Sequence, residues 1–306
     1  MATISVFGEP LLELASASAG SVLGDAVLGV AGDTLNTSVY LSRLGHDVRF
    51  ITALGEDAYS DAILGRLRDE GVSTQHVGRH PSRVPGFYAI RTDDTGERFF
   101  TYWRDQSATR AFFELADASA LIESAIDSEL FYFSGISLAI LSTGDRDTLI
   151  DVARRCNGRV AFDGNYRPYG WQSTSTARAY METVGEIADA VLPTSEDDDK
   201  LFGAAEPVDH ASRWRSYGVD TVVVKNGPDG AWVFDRADDA QHVTVDDVIQ
   251  PVDTTGAGDS FNAAFLAAWL DGQSAYDAAL AGNRLAAQVI KHHGALIPLS
   301  AMPGAG

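Results

Sequence analysis

The chain has 306 residues, 45% of them apolar and 22% charged, enough to bury a core in one large domain or two modest ones, which excludes a disordered chain. Forty-three acidic against 23 basic residues leave a net charge of −20, which disfavours nucleic acid and anionic membranes as partners. The single cysteine, Cys156, excludes an internal disulfide and any CxxC metal or redox site and fits a reducing compartment, the cytoplasm by default.

Apolar periodicity divides the chain into alternating elements. A strand over Thr3–Phe7 precedes a helix over Asp33–Leu44, a strand over Val48–Ala53 and a helix over Asp57–Glu70 capped by Asp57. The alternation resumes with a strand at Leu130–Ser134, a helix at Asp145–Arg155, a strand at Val160–Asp163, a helix at Ala177–Ile187, a strand at Ala190–Pro193 and a helix opening near Ser195. Strands at Thr221–Lys225 and Ala231–Phe234 and helices at about Asp259–Leu270 and Ala275–His292 follow. This order predicts an α/β fold, a mostly parallel sheet with helices on both faces and a ligand beyond the strands' carboxyl ends. One compact domain is expected, with a frayed Gly/Ala-rich tail after Pro303. No Lys or Arg precedes Arg43 and no window holds the ~18 apolar residues of a membrane span, so the reading is of a soluble, unprocessed chain.

Two stretches break the alternation. Leu12–Val30 is rich in Val, Leu, Gly and Ser, and Val84–Arg104 reads as a hairpin, Gly86–Arg91 and Arg98–Arg104, turned by Asp93-Asp94-Thr95-Gly96. Together they predict a small β-sheet set off from the body, with either a packing role or a covering role over the site.

The segment Asp253-Thr254-Thr255-Gly256-Ala257-Gly258-Asp259-Ser260-Phe261 carries the chemistry. Small residues at Gly256, Ala257 and Gly258 let backbone N–H groups converge where a helix begins, which makes an anion hole. Asp259, in the first turn beside it, is placed to take a proton from a hydroxyl that then attacks a phosphorus held by those amides. In isolation the same string is also a tight turn with Asp259 as a partner of the helix dipole. No Gly-Lys pair occurs, which excludes a Walker-type loop, and no GxGxxG follows the first strand.

The segment resembles the C-terminal signature of the ribokinase-like (PfkB) family of carbohydrate kinases, a DTxGAGD string followed by a helix. The resemblance implies one ribokinase-like domain over residues 1–306, with lid segments at about 12–30 and 84–104, and ATP and Mg²⁺ as cofactors, with a monovalent cation as a further candidate. The family's Gly-Gly…Asn motif appears as Ala31-Gly32-Asp33-Thr34-Leu35-Asn36, with Ala31 where a glycine is usual. Its K-x-G-x-x-G turn over ATP appears as Lys225-Asn226-Gly227-Pro228-Asp229-Gly230. Its NxxE element falls on Thr194-Ser195-Glu196-Asp197 and departs at both ends, so the metal ligands are left open.

Tyr102-Trp103-Arg104 lies on the expected cover strand, where alternation puts Tyr102 and Arg104 on one face. An inward arginine in so acidic a protein points to an anionic ligand, and Arg167 follows in Phe162-Asp163-Gly164-Asn165-Tyr166-Arg167-Pro168 at a strand's carboxyl end. These strings resemble the branch of the family that phosphorylates 2-keto-3-deoxygluconate, in Entner–Doudoroff sugar-acid breakdown. That resemblance implies Gly32, Asp33, Asn36, Tyr88, Tyr102, Arg104 and Arg167 as sugar contacts, with Asp259 as base. It also implies that Asn165, Ser195, Lys225, Asn226, Gly227, Gly230, the 256–258 amides and Asn283 lie near ATP. A kinase of a neutral sugar, of fructokinase or ribokinase type, and a silent sugar- or nucleotide-sensing protein are the rival readings. In the family the cover often pairs two subunits, which implies a homodimer.

The remaining features read plainly. Adjacent His292 and His293 point apart on a helix and make a surface pair, and Glu196–Asp199 is a solvated helix start. The charge comes from 31 Asp against 12 Glu and from 20 Arg against three Lys. Adaptation to high internal salt accounts for that skew, because short carboxylates keep a surface hydrated and their repulsion is screened at molar ionic strength; codon bias in a GC-rich genome is the alternative.

Overall fold

The computed structural model describes residues 1–16, 23–92, 98–236, 240–246 and 248–303. The expected turn Asp93-Asp94-Thr95-Gly96 and the end of the tail lie outside them. Along the chain the strands are β1 (Thr3–Phe7), β2 (Leu11–Ser16), β3 (Ala26–Ala31), β4 (Asp47–Gly55), β5 (Val77–His80), β6 (Gly86–Thr92), β7 (Arg98–Trp103), β8 (Leu130–Ser134), β9 (Arg159–Asp163), β10 (Ala190–Val191), β11 (Thr221–Lys225), β12 (Ala231–Asp235) and β13 (Gln241–Val243). The α-helices are α1 (Asp33–Arg43), α2 (Ala58–Asp69), α3 (Ala118–Glu123), α4 (Gly135–Ala139), α5 (Thr143–Arg154), α6 (Thr174–Gly185), α7 (Ser195–Phe202), α8 (Pro207–Tyr217), α9 (Ala257–Leu270) and α10 (Ala275–Val289).

Among the described residues, nine strands form one sheet in the order β13-β12-β11-β10-β9-β8-β1-β4-β5. Every pairing from β11 to β5 is parallel, and only β12 and β13 join antiparallel at the edge. Alternation on β8 shows why helices must cover both faces: Leu130 and Tyr132 enter the core shared with α1, α2, α9 and α10, while Phe131 and Phe133 enter the core shared with α5, α6 and α8. The smaller sheet, β3-β2-β6-β7, stands apart and is joined to the body where β1 runs into β2 and β3 into α1.

Helix starts follow local chemistry. Asp57 caps α2, accepting from the amides of Tyr59 (2.9 Å) and Ser60 (3.0 Å), a contact that stabilises a helix by about 1 kcal/mol. The helix α8 escaped the periodicity reading, although Pro207 at its first turn and Gly218 in the left-handed region past its end are the signals that bound it. Strand β10 ends at Val191, two residues short of expectation, near Pro193, which has no N–H to give a ladder. Helix α10 ends at Val289, ahead of the expected His292. Edge strands β5 and β13, four and three residues long, are too short to register as a period-2 pattern. Among the described residues, no helix is long and apolar enough to cross a membrane.

Candidate active site

Gly256 ends the approach to α9 at φ +74°, and a Cβ there would lie 2.8 Å from the backbone of Ala295. Asp253 ties this loop down: one oxygen accepts from the amide (2.9 Å) and hydroxyl (2.6 Å) of Thr255, the other from the Gly294 amide at 3.0 Å. The Ala257 amide donates to Thr254 O at 3.2 Å. Those of Gly258 and Asp259 belong to the first turn, whose N–H groups have no helical carbonyl behind them.

Asp259 lies on the inner side of that turn. Asn36 Nδ2 donates to Asp259 Oδ2 at 2.8 Å, and the Thr37 hydroxyl donates to the Asp259 carbonyl at 3.3 Å. Asp33, three residues before Asn36, accepts from Ser134 Oγ (2.6 Å) and Asn165 Nδ2 (2.8 Å). Strand end, helix start and the loop after β9 thus converge through side-chain hydrogen bonds. Burial, and then the neighbouring Asp33 carboxylate, push the Asp259 carboxyl up to about 8, against the Asn36 amide that favours its charged form. Asn165 takes a positive φ of 30°, a region a non-glycine residue rarely occupies, and this aims its amide at Asp33.

Lys225 does not join the turn that follows it. Its Nζ turns inward, 2.8 Å from Asn262 Oδ1 and 3.3 Å from Asp163 Oδ1, while Asn262 Nδ2 donates to Asp163 Oδ2 (2.8 Å) and to Tyr132 OH (3.1 Å). A Cβ on Gly258 would lie 3.7 Å from this ammonium, so a fixed cation sits beneath the helix start. Burial raises the Asp163 carboxyl above its ordinary value, and Lys225 opposes that shift. No local pattern marks Asp163, Asn262 and Tyr132 as partners, because their approach depends on the packing of α9 on the sheet.

The turn itself is built from Asn226 to Gly230. Gly227 and Gly230 have positive φ, a Cβ on Gly230 would lie 2.1 Å from Val243 O, and Ser195 Oγ donates to Asn226 Oδ1 at 2.6 Å. Asn283 Nδ2 donates to Val243 O (3.2 Å) and lines a cavity of about 150 Å³ with Thr244, Ile249, Leu280 and Ala287. Ser195, Asn226, Gly230 and Asn283 therefore lie along one edge, while Asn165 lies on the Asp33 side.

On the small sheet, Tyr88 and Tyr102 face each other with ring centroids 5.6 Å apart, and the Tyr88 hydroxyl is bonded to Glu13. Arg104 Nη2 donates to Glu9 Oε2, and Arg167 Nη1 donates to both oxygens of Asp197 at 2.9 Å. Both arginines singled out for an anion thus already meet protein carboxylates, Glu9 and Asp197, which the sequence reading did not connect to them. Gly32, at φ +144°, lets α1 approach Glu9: a Cβ there would lie 2.5 Å from Glu9 O.

The described residues contain no group of three or more His, Cys, Asp or Glu set to hold a metal. A magnesium ion bound together with substrate phosphates keeps its waters and needs only one or two protein carboxylates, so it does not call for such a group. The helix-start amides and the 226–230 turn fit the phosphates and body of a nucleotide. The thiol of Cys156 is half-buried, and burial pushes its pKa up.

The sequence model of "pfkB family carbohydrate kinase" matches residues 1–302. The chain is 40% identical to 2-dehydro-3-deoxygluconokinase of Dickeya dadantii (strain 3937) over 98% of each chain. Its fold is similar to the crystal structure of a PfkB protein from Polaromonas sp. JS666, with a TM-score of 0.83, 26% identity and coverage of 95% of this chain and 96% of that one. A putative ribokinase II from E. coli, solved in complex with ATP and Mg²⁺, shares the fold at a TM-score of 0.82 and 22% identity, over 96% and 94% of the two chains. The chain belongs to the pfkB family of carbohydrate kinases.

Proposed function

We propose that the chain is an ATP-dependent kinase that phosphorylates the primary hydroxyl of 2-keto-3-deoxygluconate, giving its 6-phosphate. The observation that carries the reading is Asp259 at the start of α9, hydrogen-bonded to Asn36 from the N-terminal motif, in a chain 40% identical to a 2-dehydro-3-deoxygluconokinase along its length. The Asp259 carboxylate takes the hydroxyl proton, and the first-turn amides, backed by Lys225, stabilise charge developing on the transferred group. ATP with Mg²⁺ supplies that group when bound. Asp33 and Asn36 hold the sugar hydroxyls, and the small sheet excludes water from the reacting oxygen.

The test is coupled ADP release from the purified chain with 2-keto-3-deoxygluconate, ATP and Mg²⁺, beside fructose, ribose and gluconate. Turnover confined to a neutral sugar would replace the acidic-sugar reading with that of a neutral-sugar kinase, in which Arg104 and Arg167 serve only their pairs with Glu9 and Asp197. No turnover with any sugar would leave only the fold.

Leu28, Phe99 and Trp103 are exposed on the face of the small sheet opposite Tyr88 and Tyr102, an apolar surface that supports a homodimer formed through it. The Asp-rich, Lys-poor composition supports a cytoplasm of high salt content.

A further inference from the structure

Glu9 lies in the short crossing between β1 of the large sheet and β2 of the small one, and its side chain is 1% exposed. A carboxylate buried this deeply is strongly disfavoured unless a partner compensates it. Its partner is Arg104, the first residue after β7, which leaves the small sheet at the same point. Two further crossings close on the pair. A Cβ on Gly32, where the chain leaves β3 for α1, would lie 2.5 Å from Glu9 O. One on Gly86, at the start of β6, would lie 2.8 Å from Glu9 Oε1 and 3.1 Å from Arg104 Cβ. The routes into and out of the small sheet therefore pack around one ion pair.

The pair is asymmetric. Arg104 is 18% exposed against 1% for Glu9, so the carboxylate lies behind and the guanidinium in front. In front are the aromatic rings of the sheet's inner face, with the Arg104 guanidinium 5.9 Å from the Tyr102 ring centroid. Arg104 Nε and Glu9 Oε1 are buried without a hydrogen-bond partner, so the protein leaves one donor of this guanidinium and one acceptor of this carboxylate unused.

We propose that Glu9 is a positioning and specificity residue for the acidic sugar: it fixes the Arg104 guanidinium from behind, so that its remaining donors meet the sugar's carboxylate, and it neutralises the arginine when no sugar is bound. The inference rests on the reading that Arg104 contacts that carboxylate. A guanidinium held on one edge presents the other in a set orientation, which is what bidentate recognition of a carboxylate requires.

The experiment compares Glu9→Gln, Arg104→Ala and the double variant in steady-state kinetics with 2-keto-3-deoxygluconate and with ATP. Glu9→Gln keeps the length of the side chain and loses its charge; the sugar KM is expected to rise about 10-fold while the ATP KM stays within about two-fold. The double variant is expected to match Arg104→Ala alone, because a residue acting through Arg104 adds nothing once Arg104 is gone. An unchanged sugar KM in Glu9→Gln, equal shifts in both KM values, or effects that multiply in the double variant would each overturn the proposal. If Arg104→Ala itself leaves the sugar KM unchanged, the carboxylate reading fails and the role of Glu9 falls with it, an outcome distinct from failure of Glu9→Gln alone. Should Glu9→Gln not fold, Glu9→Asp keeps the charge and draws the carboxylate back from Arg104 by one methylene; it is expected to show the same split between the two KM values, and a parental sugar KM would overturn the proposal.

Discussion

Asn36 and Asp259, 223 residues apart in sequence, meet in a 2.8 Å hydrogen bond in which the Asn36 amide donates to the Asp259 carboxylate. The contact fixes one oxygen of the proposed base and leaves the other to face a hydroxyl, and it joins the first helix of the chain to the ninth.

Replacing Asp259 by Asn keeps the shape and removes the base. The expected result is a fall in kcat of roughly 10²–10⁴-fold with the fold intact by circular dichroism. Turnover near the parental rate would remove Asp259 from the chemistry.

Because burial and Asp33 hold the Asp259 carboxyl at about 8, the base is protonated at neutral pH in the free enzyme and gains its active form as pH rises. The sugar kcat/KM is therefore expected to climb between pH 6 and 9 with a midpoint near 8, and a profile flat over that range would contradict the assignment. Stability has the opposite slope. The carboxyl is raised on folding from its ordinary 3.8, so its contribution is present below that value and is lost as pH rises towards 8. Asp259→Asn is accordingly expected to gain in Tm relative to the parent as pH goes from 5 to 9.

Lys225 is compensated only inside the fold, by Asp163 and Asn262. Lys225→Met leaves a buried carboxylate unpaired, at an expected loss of about 3–5 kcal/mol in urea unfolding, and adding Asp163→Asn is expected to recover part of it. A double variant destabilised by the sum of the losses of Lys225→Met and Asp163→Asn measured singly would show that the two residues are not coupled.

The acidic surface is expected to unfold at lower temperature in dilute buffer than in multimolar KCl, where its repulsion is screened. A Tm that does not change with KCl would leave codon bias as the explanation of the Asp excess.

If the small sheet is a subunit interface, equilibrium sedimentation at micromolar concentration gives twice the chain mass, and Trp103→Asp, which charges a 59% exposed indole, gives the single-chain mass. A parental monomer would exclude the interface.

The α/β alternation was legible because buried parallel strands and amphipathic helices write their periods locally; Leu130–Ser134 and Thr221–Lys225 match the strands residue for residue. The helix start at Gly256–Asp259 was legible too, since an anion hole needs small residues in consecutive positions. The helix α8 buries only His210, Ala211 and Trp214, too short an apolar face to show a period, and only its bounding Pro207 and Gly218 mark it locally.

The sequence by itself determined which residue types stand at the ends of the strands, and hence the Gly256–Asp259 helix start on which the proposed phosphate cradle rests. Only the tertiary structure decided their partners: that Lys225 turns away from its glycine turn to Asp163, that Asn165 reaches Asp33, and that Arg104 and Arg167 are held by Glu9 and Asp197. The reason is physical. Backbone conformation and apolar period are encoded within a few neighbouring residues, whereas charge pairing is set by which side chains the packed sheet and helices bring within about 4 Å, across separations no local pattern records.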